Sequence, residues 1–384
     1  MKKLFKVLVV ITLVFGLVAC SDNTNKDSGS DDGKVKIGLN YELSGDVADY
    51  GNKELKGSNL AIKQANANGG NYVAVEYDNK SDVAESVTIA NQLVNDGVVG
   101  VVGPATSGAS AATYQILNSA NVLVVSPSAT ANGQTLDTKG NVYDYVFRTC
   151  FEDSYQGSAM AQYAVDTLSA KNAVIYLDNE TDYAKGLTDA FKTQFEKLGG
   201  TVVATENYIG GDTDFSSVLT KLANVDFDVL YIPGYYNEAG LIIKQAREMG
   251  IDAAILGPDG FDSSEIVNLA GEANLNNVYF TTAYTTVDAN EKLTNFINAY
   301  KAEYNEDPNM FSALAYDATN LLMQAVEKAG STDAVAVKDA MTQIQFDGVT
   351  GAFSFDATHT PVKPVLVVDL INGVQTNAVE VTPK

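Results

Sequence analysis

The chain lacks tryptophan altogether, and its 384 residues include only two cysteines and one histidine. The cysteines are Cys20 and Cys150, and the histidine is His359. The sequence has no Cys/His pair, no cluster of metal ligands and no Gly-x-Ser-x-Gly turn of the kind that hydrolases use. We expect His359, which lies in a predicted loop, to be at the surface. These absences argue against an enzyme and predict neither a metal nor another cofactor.

Positive charge is also scarce. Lys and Arg number 25 against 48 Asp and Glu, which gives a formal net charge of −23. Nucleic-acid binding needs a basic surface that contacts phosphates, so this balance argues against it. A chain of this length can build a core without disulfides. We expect Cys150 to be a small buried apolar side chain.

The N-terminus has the features of an export signal. Lys2, Lys3 and Lys6 precede an apolar stretch over 7–18, which is short for a membrane span. The Leu-Val-Ala-Cys sequence that ends at Cys20 resembles the lipobox of bacterial lipoproteins. The resemblance implies a signal peptide over 1–19 and a diacylglyceryl group on the Cys20 thiol. The alternative is an ordinary secretory signal with a chance cysteine.

The segment after the signal is polar. Residues 20–33 would comprise the lipidated cysteine and a flexible tether, because Ser, Asp, Asn, Gly and Thr dominate it and no apolar residue follows Cys20. A coil of this length reaches about 20 Å. Two acyl chains anchor a protein stably, so the protein is expected on the extracytoplasmic face of the cell membrane. With Cys20 lipidated, no intrachain disulfide would be possible.

Strand and helix patterns alternate through the remainder of the chain. In the first half, helices are predicted over 53–66 and 107–118, and a third follows Asp82, which forms a predicted capping box with Glu85. In the second half, Asp182 is a predicted N-cap and another helix follows Tyr236. Strands are predicted over 35–41, 72–77, 98–102, 122–125, 173–177, 202–208, 227–232 and 254–256. This alternation predicts an α/β fold with two doubly wound parallel sheets.

Four short segments lie at predicted carboxyl ends of strands, where such sheets bind ligands. They are Gly-Pro-Ala-Thr-Ser-Gly at 103–108, Ser-Pro-Ser-Ala-Thr at 126–130, Pro-Gly-Tyr-Tyr-Asn-Glu at 233–238 and Gly-Pro-Asp-Gly at 257–260. The first two offer hydroxyls and backbone N–H groups, and the last two offer aromatics and a carboxylate. Together they suit a free amino acid, which carries an anion and a cation on the same carbon.

The order and spacing of several motifs resemble the branched-chain amino acid binding proteins of ATP-driven importers. These have the type I periplasmic-binding-protein fold, and the resemblance covers essentially the whole mature chain. No single motif is specific to this family, but the order and spacing of the motifs together are. The motifs are Val-Lys-Ile-Gly at 35–38, Leu-Ser-Gly at 43–45, Tyr-Gly at 50–51, Ala-Asn-Gly-Gly at 67–70, Asp-Tyr-Ala-Lys-Gly at 182–186 and Gly-Gly-Asp-Thr-Asp-Phe at 210–215.

The resemblance implies two doubly wound parallel-sheet lobes joined by a three-strand hinge. The crossovers should fall near Thr149, Thr281 and Val349, and a strand over 365–370 should join the second lobe. The first lobe would comprise 34–149 plus 281–349, and the second 150–280 plus 350–384.

The resemblance also implies a set of ligand-binding residues: Ser107, Ser128, Thr130, Tyr183, Tyr235, Asp259, Tyr50 and Phe311. Ser107 and the N–H groups of its helix would hold the ligand carboxylate. Ser128 would contribute its backbone, so that its side chain matters little, and Thr130 its hydroxyl. The plain alternatives are a helix N-cap at Ser107 and a Ser-Pro turn at 126–130.

Asp259 would pair with the ligand ammonium, with Tyr235 beside it and Tyr183 covering the ligand. Tyr50 and Phe311 would form the pocket for the ligand side chain. The alternatives are a turn aspartate and four core aromatics.

This chain departs from the family pattern at three places. Asp259 stands where relatives often have Glu, so the ammonium would sit deeper toward the second lobe or bind through a water. Glu42 stands where many relatives have a small or neutral residue. Pointing into the cleft, it would favour a polar ligand side chain; pointing out, it would leave Leu, Ile or Val as the best fit. Asn79 and Thr106 occupy the region of a disulfide found in some relatives.

The expected function is that of the substrate-binding lipoprotein of an ABC importer. The protein would capture an L-amino acid, chiefly Leu, Ile or Val, by hinge closure. It would act as a monomer and deliver the ligand to a membrane permease driven by an ATPase. The alternatives are a ligand sensor that signals through a partner and a receptor for another small amino acid or a short amide. Asp259 argues against the amide.

Overall fold

The computed structural model describes residues 33–384, and Val35–Lys384 form one compact unit. The predicted signal peptide over 1–19, Cys20 and all of the tether except Gly33 therefore lie outside the described residues. Within the described part of the chain, no helix combines the length and the apolar character that crossing a membrane requires.

The first sheet is entirely parallel. Its strands are β1 (Val35–Tyr41), β2 (Tyr72–Asp78), β3 (Gly100–Val102), β4 (Leu123–Ser126) and β5 (Val146–Arg148). They lie in the order β2-β1-β3-β4-β5. The helices between them are α1 (Ala48–Ala67), α2 (Val83–Asp96) and α3 (Ser107–Ser119).

The second sheet has seven strands, and its outer hairpin is antiparallel. The strands are β6 (Asn172–Asp178), β7 (Thr201–Tyr208), β8 (Val229–Tyr231), β9 (Ala254–Gly257), β10 (Val278–Thr282), β13 (Val365–Ile371) and β14 (Val374–Val381). They lie in the order β14-β13-β10-β9-β8-β6-β7, and β13 runs antiparallel to both of its neighbours, β10 and β14. A separate small hairpin joins β11 (Phe346–Gly348) and β12 (Gly351–Phe353).

Further α-helices and two short 3₁₀ helices cover the sheets within residues 33–384. The α-helices are α4 (Asp153–Asp166), α5 (Asp182–Lys197), α6 (Ser216–Leu222), α7 (Tyr236–Glu248), α8 (Glu265–Ala270), α9 (Glu291–Tyr304), α10 (Met310–Ala329) and α11 (Ala334–Met341). The 3₁₀ helices span Asp259–Phe261 and Glu272–Asn274. The predicted α/β fold with parallel-sheet lobes is confirmed.

Neighbouring residues of the first sheet point into different cores, as expected for a parallel sheet covered on both faces. Leu123 and Val125 of β4 belong to a core with Leu322 of α10, whereas Val124 belongs to a core with Leu93 of α2. This alternation explains why β4 is apolar at consecutive positions. Burial on both faces fixes the strand register and hence the positions of the loops at the strand ends.

Two predicted helix starts are displaced. The helix predicted from residue 53 begins at Ala48, whose N-cap Val47 offers no side-chain hydrogen bond and therefore no sequence signal. Asp182 is the first residue of α5 rather than its N-cap, because the Thr181 side chain accepts the N–H of Ala184.

The predicted capping box at α2 forms only in part. Asp82 is the N-cap, and its carboxylate accepts the N–H of Glu85 at 2.7 Å. The Glu85 carboxylate pairs with Lys80 at 2.9 Å. The Glu85 side chain, which would have completed the capping box, is instead paired with the exposed Lys80.

The chain leaves the first sheet after β5 and the second sheet after β10, from where α10 returns to pack against β3 and β4; after β12 the chain re-enters the second sheet. Asp317 of α10 accepts the N–H groups of Val349 and Thr350 and the Thr350 hydroxyl at 2.6–2.9 Å. Lys363 donates to Thr350 Oγ1 and to the Thr149 carbonyl, both at 2.9 Å. These contacts tie the first and third passages to the body of the protein. The lobe boundaries given above stay a prediction.

The only histidine is not a surface residue. His359 is half-buried, with its ring stacked on Phe147 at a centroid distance of 4.1 Å and its Nδ1 atom 3.0 Å from the Val146 carbonyl oxygen. The surface expectation was wrong because the loop that carries His359 covers the end of β5. Cys150 is 1 % exposed, so its prediction as a buried side chain is confirmed.

Candidate ligand-binding cleft

Each sheet reverses its strand order at one point. In the first sheet β2 and β3 flank β1, and in the second β7 and β8 flank β6. Chain segments that leave neighbouring strands on opposite sides open a crevice at such a point. The loops after β1, β3 and β4 meet the loops after β6, β8 and β9 there.

A small cavity lies between these loops. Seven of the eight predicted ligand residues line it: Tyr50, Ser107, Ser128, Tyr183, Tyr235, Asp259 and Phe311. Ala105, Thr106 and Gly260 complete the lining. The eighth residue, Thr130, is fully buried and is not part of the lining. The binding role of these residues stays a prediction.

Ser107 is the first residue of α3 and does not cap it. Its Oγ accepts the N–H of Ala131 at 3.1 Å, which leaves the hydroxyl proton available for donation. Thr106 is the N-cap and makes no side-chain capping bond. Because the first N–H groups of a helix lack intrahelical partners, this end of the cavity favours an anion.

Glu42 points neither at a ligand side chain nor at solvent. It is fully buried, and its carboxylate accepts the N–H of Ala105 at 3.0 Å, the N–H of Thr106 at 3.1 Å and the Thr106 hydroxyl at 2.9 Å. Burial raises the pKa of Glu42 above its usual value, although these donors oppose the shift. Glu42 therefore fixes the loop that leads into α3 and has no role in binding a ligand side chain directly.

Ser128 makes more use of its side chain than expected. Its Oγ lies 2.5 Å from Glu54 Oε1 and 2.8 Å from the Ala105 carbonyl oxygen. Glu54, on α1, was not among the predicted residues. It lies one helical turn after Tyr50, on the buried face of the same helix. An acidic residue on that face was the sequence feature that could have identified it.

Asp259 provides a buried carboxylate on the opposite wall of the cavity. It is 3 % exposed, and Oδ1 accepts the Tyr183 hydroxyl at 2.6 Å and Gln156 Nε2 at 3.0 Å. Burial raises the pKa of Asp259 to about 6, against the lowering effect of these donors. Both close partners are neutral, so the charge of an ionised Asp259 is left for a bound cation.

A second buried acid lies behind Asp259. Gln156 donates to Asp153 Oδ1 at 2.8 Å as well as to Asp259, while its own Oε1 accepts the Thr281 hydroxyl at 2.7 Å. Burial, reinforced by the charge of Asp259, raises the pKa of Asp153 well above its usual value. Sequence reasoning missed both Asp153 and Gln156, since neither lines the cavity.

Aromatic rings form the apolar walls. Tyr50 stacks on Phe311 at a centroid distance of 4.1 Å, and Tyr183 stacks on Tyr235 at 5.1 Å. Tyr50 and Tyr235 meet edge to face at 5.8 Å. The two stacks bring together the four aromatics predicted from the sequence, and all four line the cavity beside its polar groups.

The two walls touch in a closed arrangement. The Tyr50 hydroxyl donates to the Gly260 carbonyl at 2.5 Å and accepts the N–H of Tyr236 at 3.2 Å. Ser263 also donates to Asp49 Oδ2 at 2.6 Å. One tyrosine hydroxyl of the first wall thus satisfies two backbone groups of the second.

Glycine is required at position 260. A Cβ atom there would lie 2.7 Å from the Gly234 carbonyl oxygen, 3.0 Å from the Tyr183 hydroxyl and 3.3 Å from the Tyr50 hydroxyl. The absence of a side chain lets the backbone approach both tyrosines. Within residues 33–384 no group of three or more His, Cys, Asp or Glu could hold a metal ion.

The family model described as periplasmic binding protein matches residues 34–375. The leucine-, isoleucine-, valine-, threonine- and alanine-binding protein of Pseudomonas aeruginosa is 33 % identical over 84 % of this chain and 86 % of its own length. That family binds solutes and is not an enzyme family.

Two solved structures extend the similarity to the fold. The branched-chain amino acid transporter substrate-binding protein LivJ from Streptococcus pneumoniae, in complex with isoleucine, is 43 % identical with a TM-score of 0.86, covering 91 % of this chain and 100 % of its own. The leucine-binding protein LivK from Thermotoga maritima is 32 % identical with a TM-score of 0.85, covering 91 % and 99 %. The resemblance found in the sequence is confirmed, and the chain belongs to the type I periplasmic binding protein family.

Proposed function

We propose that this protein captures a free L-amino acid in the cleft and delivers it to the membrane permease of an ABC importer. The observation that carries the proposal is that one cavity offers groups for a cation and groups for an anion. Asp259 offers a buried negative charge, and Ser107 at the start of α3 offers donors for an anion. An α-amino acid carries both complementary charges on one carbon.

The ligand side chain would be aliphatic. Tyr50, Phe311, Tyr183 and Tyr235 present apolar surface to it, and Glu42 is already committed to backbone N–H groups. The names of the relatives support leucine, isoleucine and valine as the first candidates. A short amide lacks the cation that the buried Asp259 favours.

The remaining predicted residues would complete the polar contacts. The Ser128 backbone and the Thr130 hydroxyl would bind the ligand from the first lobe. Tyr235 and Tyr183 would cover it from the second. The shorter Asp259, tied to Gln156, draws the ammonium toward the second lobe.

Capture would proceed by closure of the two lobes, which we assign to 34–149 plus 281–349 and 150–280 plus 350–384. The ligand would first meet Ser107 and Ser128, and Asp259 and the two tyrosines would contact it only after closure. Because these interactions form only in the closed state, the bound ligand shifts the equilibrium toward that state. The closed form would then dock on the permease.

The protein would act outside the cytoplasm, without catalysis and as a monomer. Membership of a periplasmic binding protein family supports the location. The Leu-Val-Ala-Cys motif supports a lipid anchor on Cys20, tethered through residues 21–33. A sensor would use the same cleft and differ in its membrane partner.

Calorimetric titration of the chain from Ser21 onward, unfolded and refolded to remove carried-over ligand, tests the proposal against each L-amino acid in turn. We expect one-to-one binding of an aliphatic amino acid. Asp259→Ala should weaken it about 100-fold, because a charge pair is lost in a buried site. Ser107→Ala should weaken it about tenfold. Asp252→Ala, at an exposed position of the second lobe, is the matched control. Absence of heat with every amino acid would contradict the proposal.

Closure can be tested at the Tyr50 hydroxyl. Tyr50→Phe keeps the ring on Phe311 but removes both hydrogen bonds with the opposite wall, so we expect affinity to fall roughly 5- to 20-fold. Tyr304→Phe removes one hydroxyl that bonds the Lys56 carbonyl on the neighbouring helix and should leave affinity unchanged. Equal affinities of wild type and Tyr50→Phe would show that closure does not depend on this bridge.

The pKa of Asp259, raised by burial to about 6, gives the binding constant a pH dependence. Below pH 6 Asp259 carries a proton that pairing with an ammonium must displace, so affinity should fall by up to about tenfold per pH unit as the pH drops. In Asp259→Asn this dependence should disappear. Asp262, whose burial raises its pKa to about 7, does not line the cavity, so Asp262→Asn should retain the dependence. Wild-type binding that stays constant from pH 5 to 8 would contradict the assignment.

A further inference from the structure

Glu54 is a buried acid to which the binding mechanism above gives no role. It is 0 % exposed on α1. Its Oε1 lies 2.5 Å from Ser128 Oγ, and its Oε2 has no hydrogen-bond partner within residues 33–384. A carboxylate with so few donors is an unfavourable place for a full negative charge.

The hydrogen atoms around Ser128 can be counted. Ser128 Oγ is 2.5 Å from Glu54 Oε1 and 2.8 Å from the Ala105 carbonyl oxygen, and a hydroxyl has one hydrogen. If Glu54 is ionised, its carboxylate and the Ala105 carbonyl are both acceptors. The Ser128 hydroxyl can then donate to only one of them, and the other pair of oxygens has no hydrogen between them. With Glu54 protonated, its O–H donates to Ser128, and the Ser128 O–H donates to Ala105. Only the neutral acid places a hydrogen in both contacts.

The other buried glutamate in this region has the opposite surroundings. Glu42 accepts two backbone N–H groups and one hydroxyl, which is the environment that stabilises an ionised carboxylate. The titratable groups that act on Glu54 are this Glu42, in the loop after β1, and Tyr41 at the end of β1. Burial raises the pKa of Glu54 well above its usual value, the Ser128 contact lowers it, and the Glu42 charge raises it further.

We propose that Glu54 is a neutral carboxylic acid that positions the ligand-carboxylate end of the cleft through Ser128 and Ala105. The Ala105 carbonyl is held by the Glu54–Ser128 pair, and the Ala105 N–H is held by Glu42. The peptide that leads into α3 is thus fixed from both sides. A neutral Glu54 also spares the ligand carboxylate a second nearby negative charge. The ligand part of this inference rests on the proposed function.

The protonation state can be measured without any ligand. If Glu54 is protonated in the folded protein, folding takes up one proton at each pH between the ordinary pKa of glutamate and the raised pKa of the folded state. The free energy of unfolding of the wild type therefore falls as the pH rises through this range. Glu54→Gln keeps the donor and carries no titrating proton. We therefore expect the folding equilibrium constant of Glu54→Gln, relative to wild type, to rise by up to about tenfold per pH unit between pH 5 and 8.

Urea unfolding of the ligand-free chain at several pH values gives these constants. Glu272→Gln, at an exposed position, is the control for removal of a glutamate charge and should show a flat ratio. In infrared difference spectra, wild type minus Glu54→Gln should show the carbonyl band of a protonated carboxylic acid at neutral pH. A flat ratio for Glu54→Gln, or absence of that band, would overturn the neutral state.

The positioning role is tested by affinity for the amino acid. Glu54→Gln should bind within about threefold of wild type, because its amide can donate to Ser128, whereas Glu54→Met has a similar shape but no donor and should bind about tenfold more weakly. Equal binding by all three proteins would overturn the positioning role. If wild type itself bound no amino acid, the proposed function would fail, and the folding ratio would still report the state of Glu54.

Discussion

Asp259 holds a carboxylate in the interior of the cleft with neutral partners at hydrogen-bond distance, the Tyr183 hydroxyl and the Gln156 amide. A buried charge without a counter-ion is unfavourable, and burial accordingly raises the pKa of this group to about 6. In the proposed mechanism, a ligand cation would relieve that penalty only when the second lobe brings Asp259 over the first. The proposal therefore makes ammonium recognition and lobe closure depend on the same side chain, Asp259.

In the proposed function, the opposite wall would bind the ligand carboxylate within a strongly acidic protein. Glu42 and Glu54 both lie beneath the loop that leads into α3, where two negative charges would oppose a ligand carboxylate. Two backbone N–H groups donate to the Glu42 carboxylate and stabilise its charge. In our proposal Glu54 is protonated and carries no charge. The positive end of α3 is then left for the ligand. In this proposal, the environment of each acid, rather than the net charge of the chain, determines which ligand the cleft binds.

Several parts of this arrangement follow from local sequence. Gly- and Pro-bounded segments after apolar runs placed Ser107, Ser128, Tyr235 and Asp259 at strand ends, and the parallel sheets carry those ends to one crevice. The family resemblance added Tyr50, Tyr183 and Phe311, which the structure also brings to the cavity. Strand burial on both faces made these positions predictable, because register leaves little freedom to the loops.

Other parts depend on contacts that no local pattern encodes. Glu42 finds its donors more than sixty residues away, and Glu54 finds Ser128 only when α1 packs beside the loop after β4. Gln156 links Asp259 to Thr281, each of which lies more than one hundred residues further along the chain. The start of α1 was misplaced because Val47 gives no capping signal. Sequence thus predicts which groups reach the cleft, and tertiary contacts decide their protonation and orientation.

The central claim is that one cavity recognises the ammonium and the carboxylate of the same ligand. Calorimetric competition among L-leucine, leucinamide and 4-methylpentanoate tests it most directly, because the three share a side chain and differ only in the two charged groups. We predict that the refolded protein binds leucine tightly and binds each analogue about 100-fold or more weakly. If 4-methylpentanoate bound as tightly as leucine, the cleft would be a carboxylate site with an apolar pocket, and the role assigned to Asp259 would be contradicted.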